Sequence, residues 1–350
     1  MMAAAVSIWP GHGARPYPCL GRSGAYHVTP REDSSTVGSG WRQLDTLRLA
    51  LSLVVVIAHA NYVFITPLGY VAAFPVTEWL ARFAVLAFFM LSGLVIGKSL
   101  AQRRDGFAAF MIRRVGRIYP PLIASFVLVI AIDQALRLAG VSTRALPNAG
   151  PMTSSFVYDL RSVVLCLATF GFRGWLSSGA NGALWSLVIE MRCYVVAGLL
   201  AQMVFARSWL GRSACTAALA GALGLLAAEH FDPVIALSYG AFLYGLLLSL
   251  SVKRIPRLLP AVHIDISYSL YILHQPVMLG FYFLAYQPAF PSLGGALVLG
   301  AAAIATALLL SLLSALFIEP FRGRRIAAVL DKFLVSRRPP TKREAVGTPV

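Results

Sequence analysis

Apolar runs of about 20 residues, each long enough to cross a hydrocarbon core as a helix, recur along this chain between short polar stretches. The first is read over Leu44–Phe64, LDTLRLALSLVVVIAHANYVF, and the second over Trp79–Leu100. The third covers Ile118–Leu138 and opens on Pro120 and Pro121, where a helix start tolerates proline. Ala183–Phe205, Ser213–Ala228, Val234–Ser251, Ile264–Ala285 and Leu293–Ile318 follow. Phe156–Phe172 holds Asp159 and Arg161 and reads as an interfacial or re-entrant segment on the outer side. The pattern predicts an all-α, polytopic transmembrane helix bundle of about 8 to 10 spans. Residues 1–40, rich in Gly, Pro, Ser and Arg, read as a disordered N-terminal tail, 41–325 as the transmembrane domain, and 326–350 as a basic tail.

Composition sharpens this picture. Hydrophobic residues make up 58% of the chain and charged residues 13%, which excludes an ordinary soluble domain. The net charge of +16 would suit a nucleic-acid partner, but the basic residues cluster between the spans and at the ends. That is the positive-inside pattern of cytoplasmic loops, so no nucleic acid is expected. Lys98, Arg103, Arg104, Arg113, Arg114 and Arg117 mark one such loop; Arg207 with Arg212, and Lys253, Arg254 and Arg257, mark two more. Both termini are then cytoplasmic, Arg48 sits at the inner end of the first span, and His59 lies about two-thirds of the way across. Cys19, Cys166, Cys193 and Cys215 have neither CxxC nor metal spacing and read as small hydrophobes. No metal site and no bound cofactor are expected.

Ionisable residues inside the spans are the candidates for chemistry, because they are costly there and mark functional pathways. Arg48 and His59 are eleven residues apart, about 16 Å along a helix and within about 20° of one face. A buried, satisfied histidine and an arginine paired with Asp45 are the structural alternative. Glu190, in ALWSLVIEMRCYVV, falls at a depth similar to His59 and would orient its imidazole; a Glu190–Arg192 or Glu190–His ion pair is the alternative. Tyr271 and His274, three apart on one helical face, line a polar path or act as interhelical hydrogen-bond glue. Pro276 follows, freeing backbone carbonyls nearby. Arg113, Arg114 and Arg117, in FMIRRVGRIYPP, suit a multiply anionic ligand or lipid headgroups. Ser92 and Gly93, in MLSG, fit close helix packing.

Six co-linear blocks carry a resemblance: Arg48–x10–His59, FFMLSG at 88–93, RRVGRIYPP at 113–121, LWSLVIE at 184–190, SYSLYILH at 267–274 and IEPFR at 318–322. Together they resemble the acyltransferase 3 family, the integral-membrane O-acyltransferases of bacterial surface glycans. Two departures stand out: Cys193 where the family commonly has an aromatic, and a stretch between Val234 and Ser267 too short for two further spans. The resemblance implies Arg48 and His59 as the catalytic pair, with Glu190 supporting them. It implies acetyl-CoA or another acyl-CoA as the cytoplasmic donor, held by Arg113, Arg114 and Arg117. Tyr271, His274, Ser92 and Trp185 would contact substrate. The acceptor would be a sugar hydroxyl of a polysaccharide, lipopolysaccharide or lipid-linked glycan, in the bacterial inner (cytoplasmic) membrane among membrane lipids, with a polysaccharide biosynthesis complex as partner. Two other classes stay open: a glycan or lipid transporter, and a non-catalytic partner of a polysaccharide synthase.

Overall fold

The computed structural model describes residues 34–69, 74–103, 106–141, 156, 158–176, 179–206, 208–229, 232–252, 260, 266–286 and 292–318. These residues form nine α-helices and no β-strand: α1 Ser34–Ala60, α2 Phe74–Arg103, α3 Phe107–Leu138, α4 Leu160–Ala168, α5 Trp185–Phe205, α6 Trp209–Ala227, α7 Pro233–Ser251, α8 Ser267–Phe281 and α9 Leu293–Leu313. Short π-helical turns extend α1 (Asn61–Ile65), α8 (Tyr282–Tyr286) and α9 (Ser314–Ile318). Both termini, the IEPFR block beyond Ile318, and Arg104, Arg207, Lys253, Arg254 and Arg257 lie outside the described residues. So do residues 1–33 of the expected tail and all of 326–350.

Among the described residues, seven helices are long and apolar enough to cross a membrane. Large apolar side chains such as Phe83, Ile123, Val127, Leu243, Leu247 and Val298 cover the outside, as a bundle solvated by lipid requires. The chain is a multi-pass membrane protein. The expected span over Ile264–Ala285 is helical from Ser267 through the π-turn to Tyr286 but is not among the seven; it carries Tyr268, Tyr271, His274 and Gln275. It is packed against α1, α3 and α9 in the interior of the bundle, which is why its polar groups are tolerated. α4, nine residues long, covers about 14 Å and is too short to cross.

The third span also differs from its expectation. Pro120 and Pro121 lie inside a continuous α3 of 32 residues, and α2 runs through Lys98 to Arg103. Of the described residues in the region read as a long basic loop, all but Gly106 are therefore helical. Arg113, Arg114 and Arg117 consequently stand on the first turns of α3 with fixed directions.

α2 and α7 make the closest helix pair. A Cβ at Gly93 would stand 2.0 Å from the Phe242 carbonyl oxygen, and one at Gly245 1.9 Å from that of Met90. Reciprocal glycines let the two backbones touch, the device that replaces hydrophobic force between helices in lipid. Elsewhere two apolar clusters meet along α1 and α8. Val55 and Ile272 belong to one cluster, Val56 and Leu270 to the other. α1 and α8 form the seam between them, and the seam holds the polar residues.

Candidate active site

The seam begins near Arg48, where the Ser52 hydroxyl donates to the Ser267 carbonyl at 3.0 Å and ties α1 to the start of α8. Arg48 is buried and stands 3.6 Å from Asp45, one turn earlier. It lines a cavity of about 70 Å³ together with Phe88 and Ser92 of α2, Arg117 of α3, Ser186 and Glu190 of α5 and Tyr271 of α8. The Glu190 carboxylate accepts from the Ser92 hydroxyl at 3.0 Å and from the Tyr194 hydroxyl. The cavity thus presents two guanidinium groups and one anchored carboxylate on walls that mix apolar side chains with serine and tyrosine hydroxyls.

A second cavity, of about 460 Å³, opens around His59. Tyr62 of the π-turn, Thr77, Glu78 and Arg82 of α2, Trp185 of α5 and Asp232 before α7 line it. Arg82 pairs with Glu78 one turn away. Asn61 donates to Thr77 at 3.0 Å and fixes the turn after His59 to α2. The two cavities share two wall residues, Val85 and Tyr271. Tyr271 is held there by a 2.7 Å bond between its hydroxyl and that of Ser186, and by the edge of Phe88 at 5.9 Å.

His59 itself is bonded to His274 of α8, with Nδ1 of His59 2.7 Å from Nε2 of His274. The ring centroids are 5.0 Å apart and the planes 26° apart. That centroid distance is the N···N separation plus one ring radius on each side, so the rings meet edge to edge in line, as a hydrogen bond requires. On its far side, Nδ1 of His274 lies 3.1 Å from the Leu270 carbonyl oxygen.

Several expected placements change. The partner of His59 is His274, not Glu190, whose carboxylate belongs to the Arg48 cavity; the rotation of α5 turns Glu190 toward Ser92 of α2, and Tyr194, one turn on along α5, bonds it there. No Glu190–Arg192 pair forms, because Arg192 faces the opposite way and binds Glu229. His274 is fully buried and lines neither cavity, so it does not form the path wall that Tyr271 does. Of the three arginines, Arg117 alone lines the Arg48 cavity. Arg114 points into the helix contacts, bonded to Ser99 at 3.3 Å and lying over the rings of Phe110 and Tyr194. Ser92 lines the smaller cavity and Trp185 the larger one.

Glu78, Arg82, Asp232, Tyr62 and Ser186 were not singled out by the sequence. Their local roles hide them: Glu78 and Arg82 make an i,i+4 pair, and Asp232 caps α7 by accepting from the Val234 N–H at 2.8 Å. The one available signal was Glu78–x3–Arg82 inside an otherwise apolar run.

Comparison with known proteins adds an independent line. The family model described as an acyltransferase domain matches residues 41–232, a stretch that includes Arg48, His59, Ser92, Arg117, Trp185 and Glu190 and stops short of Tyr271 and His274. The chain is 28% identical over 162 residues to a protein named O-acetyl transferase from Shigella phage Sf6, covering 44% of each. It is 28% identical over 211 residues to Nodulation protein 10 from Rhizobium leguminosarum bv. viciae, covering 57% of this chain and 54% of that protein. The chain thus spans about half the length of the curated relatives it matches. No solved structure matches it.

Proposed function

The chain belongs to the acyltransferase 3 family, and from that premise we propose that it is a membrane-bound O-acyltransferase moving a short acyl group from acyl-CoA to a sugar hydroxyl. The observation that carries this reading is the pair of neighbouring cavities that share Val85 and Tyr271 as wall residues, one lined by Arg48 and Arg117, the other by His59. A thioester donor carries phosphates, which guanidinium groups bind well. The smaller cavity, lined by Arg48 and Arg117, would take the acyl end of the donor, with its phosphates toward the guanidinium groups. Acetyl is the acyl group favoured here, in line with the relative named O-acetyl transferase. The larger cavity combines Trp185 with carboxylates and a guanidinium, a lining suited to a polyhydroxylated acceptor.

In the proposed step, Nε2 of His59 takes the proton of the acceptor hydroxyl as general base. The hydroxyl oxygen attacks the thioester carbonyl carbon, a C–O bond forms and the C–S bond breaks. The departing thiolate takes the proton back from His59 and leaves as free CoA thiol. Tyr271, on the shared wall, stands where the two substrates meet. CoA acts as a substrate here, and no resident cofactor enters. By the positive-inside argument the Arg48 cavity opens toward the cytoplasm of a bacterial inner membrane, and the acceptor is a lipid-linked or exported glycan, delivered by a polysaccharide biosynthesis complex.

The test uses membranes holding matched amounts of wild type, Arg48→Ala and His59→Ala, given radiolabelled acetyl-CoA, with label followed into glycan. Wild type incorporates label, and His59→Ala loses about 10²- to 10⁴-fold, the usual contribution of a general base. Equal incorporation by His59→Ala removes the mechanism. No incorporation by wild type from any short acyl-CoA removes the function and returns the exporter and the non-catalytic partner.

A further inference from the structure

We propose that His274 is the positioning residue that fixes the tautomer of His59, making Nε2 the one nitrogen of His59 able to accept a proton. The inference rests on the acyltransferase reading for its consequence in catalysis, and on geometry alone for the tautomer.

The chain of bonds is fixed from its far end. A backbone carbonyl oxygen can only accept, so the 3.1 Å contact between Leu270 and Nδ1 of His274 requires the proton of His274 to sit on Nδ1. In a neutral imidazole the other nitrogen is then bare. Nε2 of His274 is that nitrogen, and at 2.7 Å it faces Nδ1 of His59, which must therefore donate. With its proton on Nδ1, neutral His59 carries its lone pair on Nε2. His59 lines the larger cavity and its Nδ1 is engaged in the interior, so Nε2 is the nitrogen left for a substrate.

The device does the work that a carboxylate does for a histidine base, which is to hold the tautomer and orientation through the nitrogen that does not react. A neutral imidazole is the cheaper choice at this place. His274 is fully buried, and an ionised carboxylate there would carry a heavy desolvation penalty. The anchor for the whole chain is a carbonyl of α8 one turn back, so the direction of the lone pair on α1 is set by the backbone of another helix. Proton uptake at Nε2 leaves the Nδ1–H···Nε2 bond in place and strengthens it, since a charged donor makes the stronger bond.

The experiment is ¹⁵N NMR of the full chain in lipid bilayers with labelled histidine, the two signals assigned from His59→Asn and His274→Gln, beside transfer assays on His274→Gln and His274→Leu. The proposal expects Nδ1 protonated and Nε2 bare in both residues of the wild type. His274→Gln puts an amide oxygen where Nε2 stood, so it keeps the His59 tautomer and transfers within about tenfold of wild type. His274→Leu gives mixed His59 tautomers and loses about 10- to 100-fold, the scale for losing a group that orients a histidine. A protonated Nε2 on His59 in the wild type overturns the proposal, as does His274→Leu transferring like wild type. Should the leucine variant fail to assemble, the wild-type spectrum decides. If wild type transfers no acyl group, the functional reading falls and the spectrum still tests the tautomer.

Discussion

Arg192 and His59 are both polar residues set into apolar helices, and their surroundings are opposite. Nε of Arg192 donates to the Gly171 carbonyl at 2.6 Å, its two terminal nitrogens reach the Glu229 carboxylate at 2.8 and 3.0 Å, and Tyr239 adds a contact at 3.3 Å. Phe172 lies against the guanidinium face. Gly171 and Phe170 adopt positive φ and close α4 with a left-handed cap, the Gly171 N–H reaching back to the Cys166 carbonyl at 2.8 Å. Arg192 thereby locks the short α4 segment to α5 and to the end of α6. His59 has one nitrogen bound and a cavity of about 460 Å³ beside it. Burial of a polar group is thus not by itself a mark of chemistry. Saturation on every side indicates a strut, and saturation on one side with a cavity on the other leaves the free side that the role proposed for His59 requires.

The sharpest way to break that distinction is Arg192→Met. It leaves Glu229 without its partner and lowers stability by about 3 kcal/mol, the low end for a broken buried pair because Glu229 is 39% exposed. Transfer per folded molecule stays near wild type. Thermal unfolding in lipid, with transfer normalised to folded protein, reads both. Lost transfer at unchanged stability would show that Arg192 is more than a strut.

The same contrast separates two arginines one turn apart on α3. Arg117→Ala raises the acyl-CoA KM about tenfold, or about 1.4 kcal/mol, with little change in unfolding, because Arg117 faces the smaller cavity. Arg114→Ala does the reverse. It removes packing and cation–π contact with two rings and lowers stability by about 1–2 kcal/mol while leaving that KM alone. Equal KM effects from the two would make the cluster a diffuse basic surface and not a directed site.

The smallest effect belongs to the wall between the cavities. Tyr271→Phe removes the bond to Ser186, worth about 1 kcal/mol, and slows transfer about fivefold at saturating donor. Steady-state kinetics with each substrate varied in turn shows whether the loss falls on both substrates, as a residue lining both cavities requires.

Much of this organisation is legible in the order of residues, because a long apolar run has few options in lipid. The runs that became α1, α2, α5, α7 and α9 were readable for that reason. The failures have physical causes as well. Pro120 and Pro121 suggest a helix start, since each lacks an N–H, yet α3 continues through them. The segment around Tyr271 and His274 gives no sign in the sequence of why its polar residues are tolerated; α1, α3 and α9 surround it.

Spacing along one helix determined that Arg48 and His59 share a face and that Tyr271 and His274 lie close together, because the α-helical repeat is invariant. Spacing could not say which helix would present its face to them. His59 and His274 are 215 positions apart, and Ser92 and Glu190 are 98 apart. Those pairings depend on the rotation and depth of α8 against α1, and of α5 against α2. Rotation and depth are set by side-chain packing and by close approaches such as that of Gly93 of α2 against α7, and packing exists only once all the helices are assembled. Which residues carry polar groups into the membrane was therefore written in the chain; which of them meet was decided by the bundle.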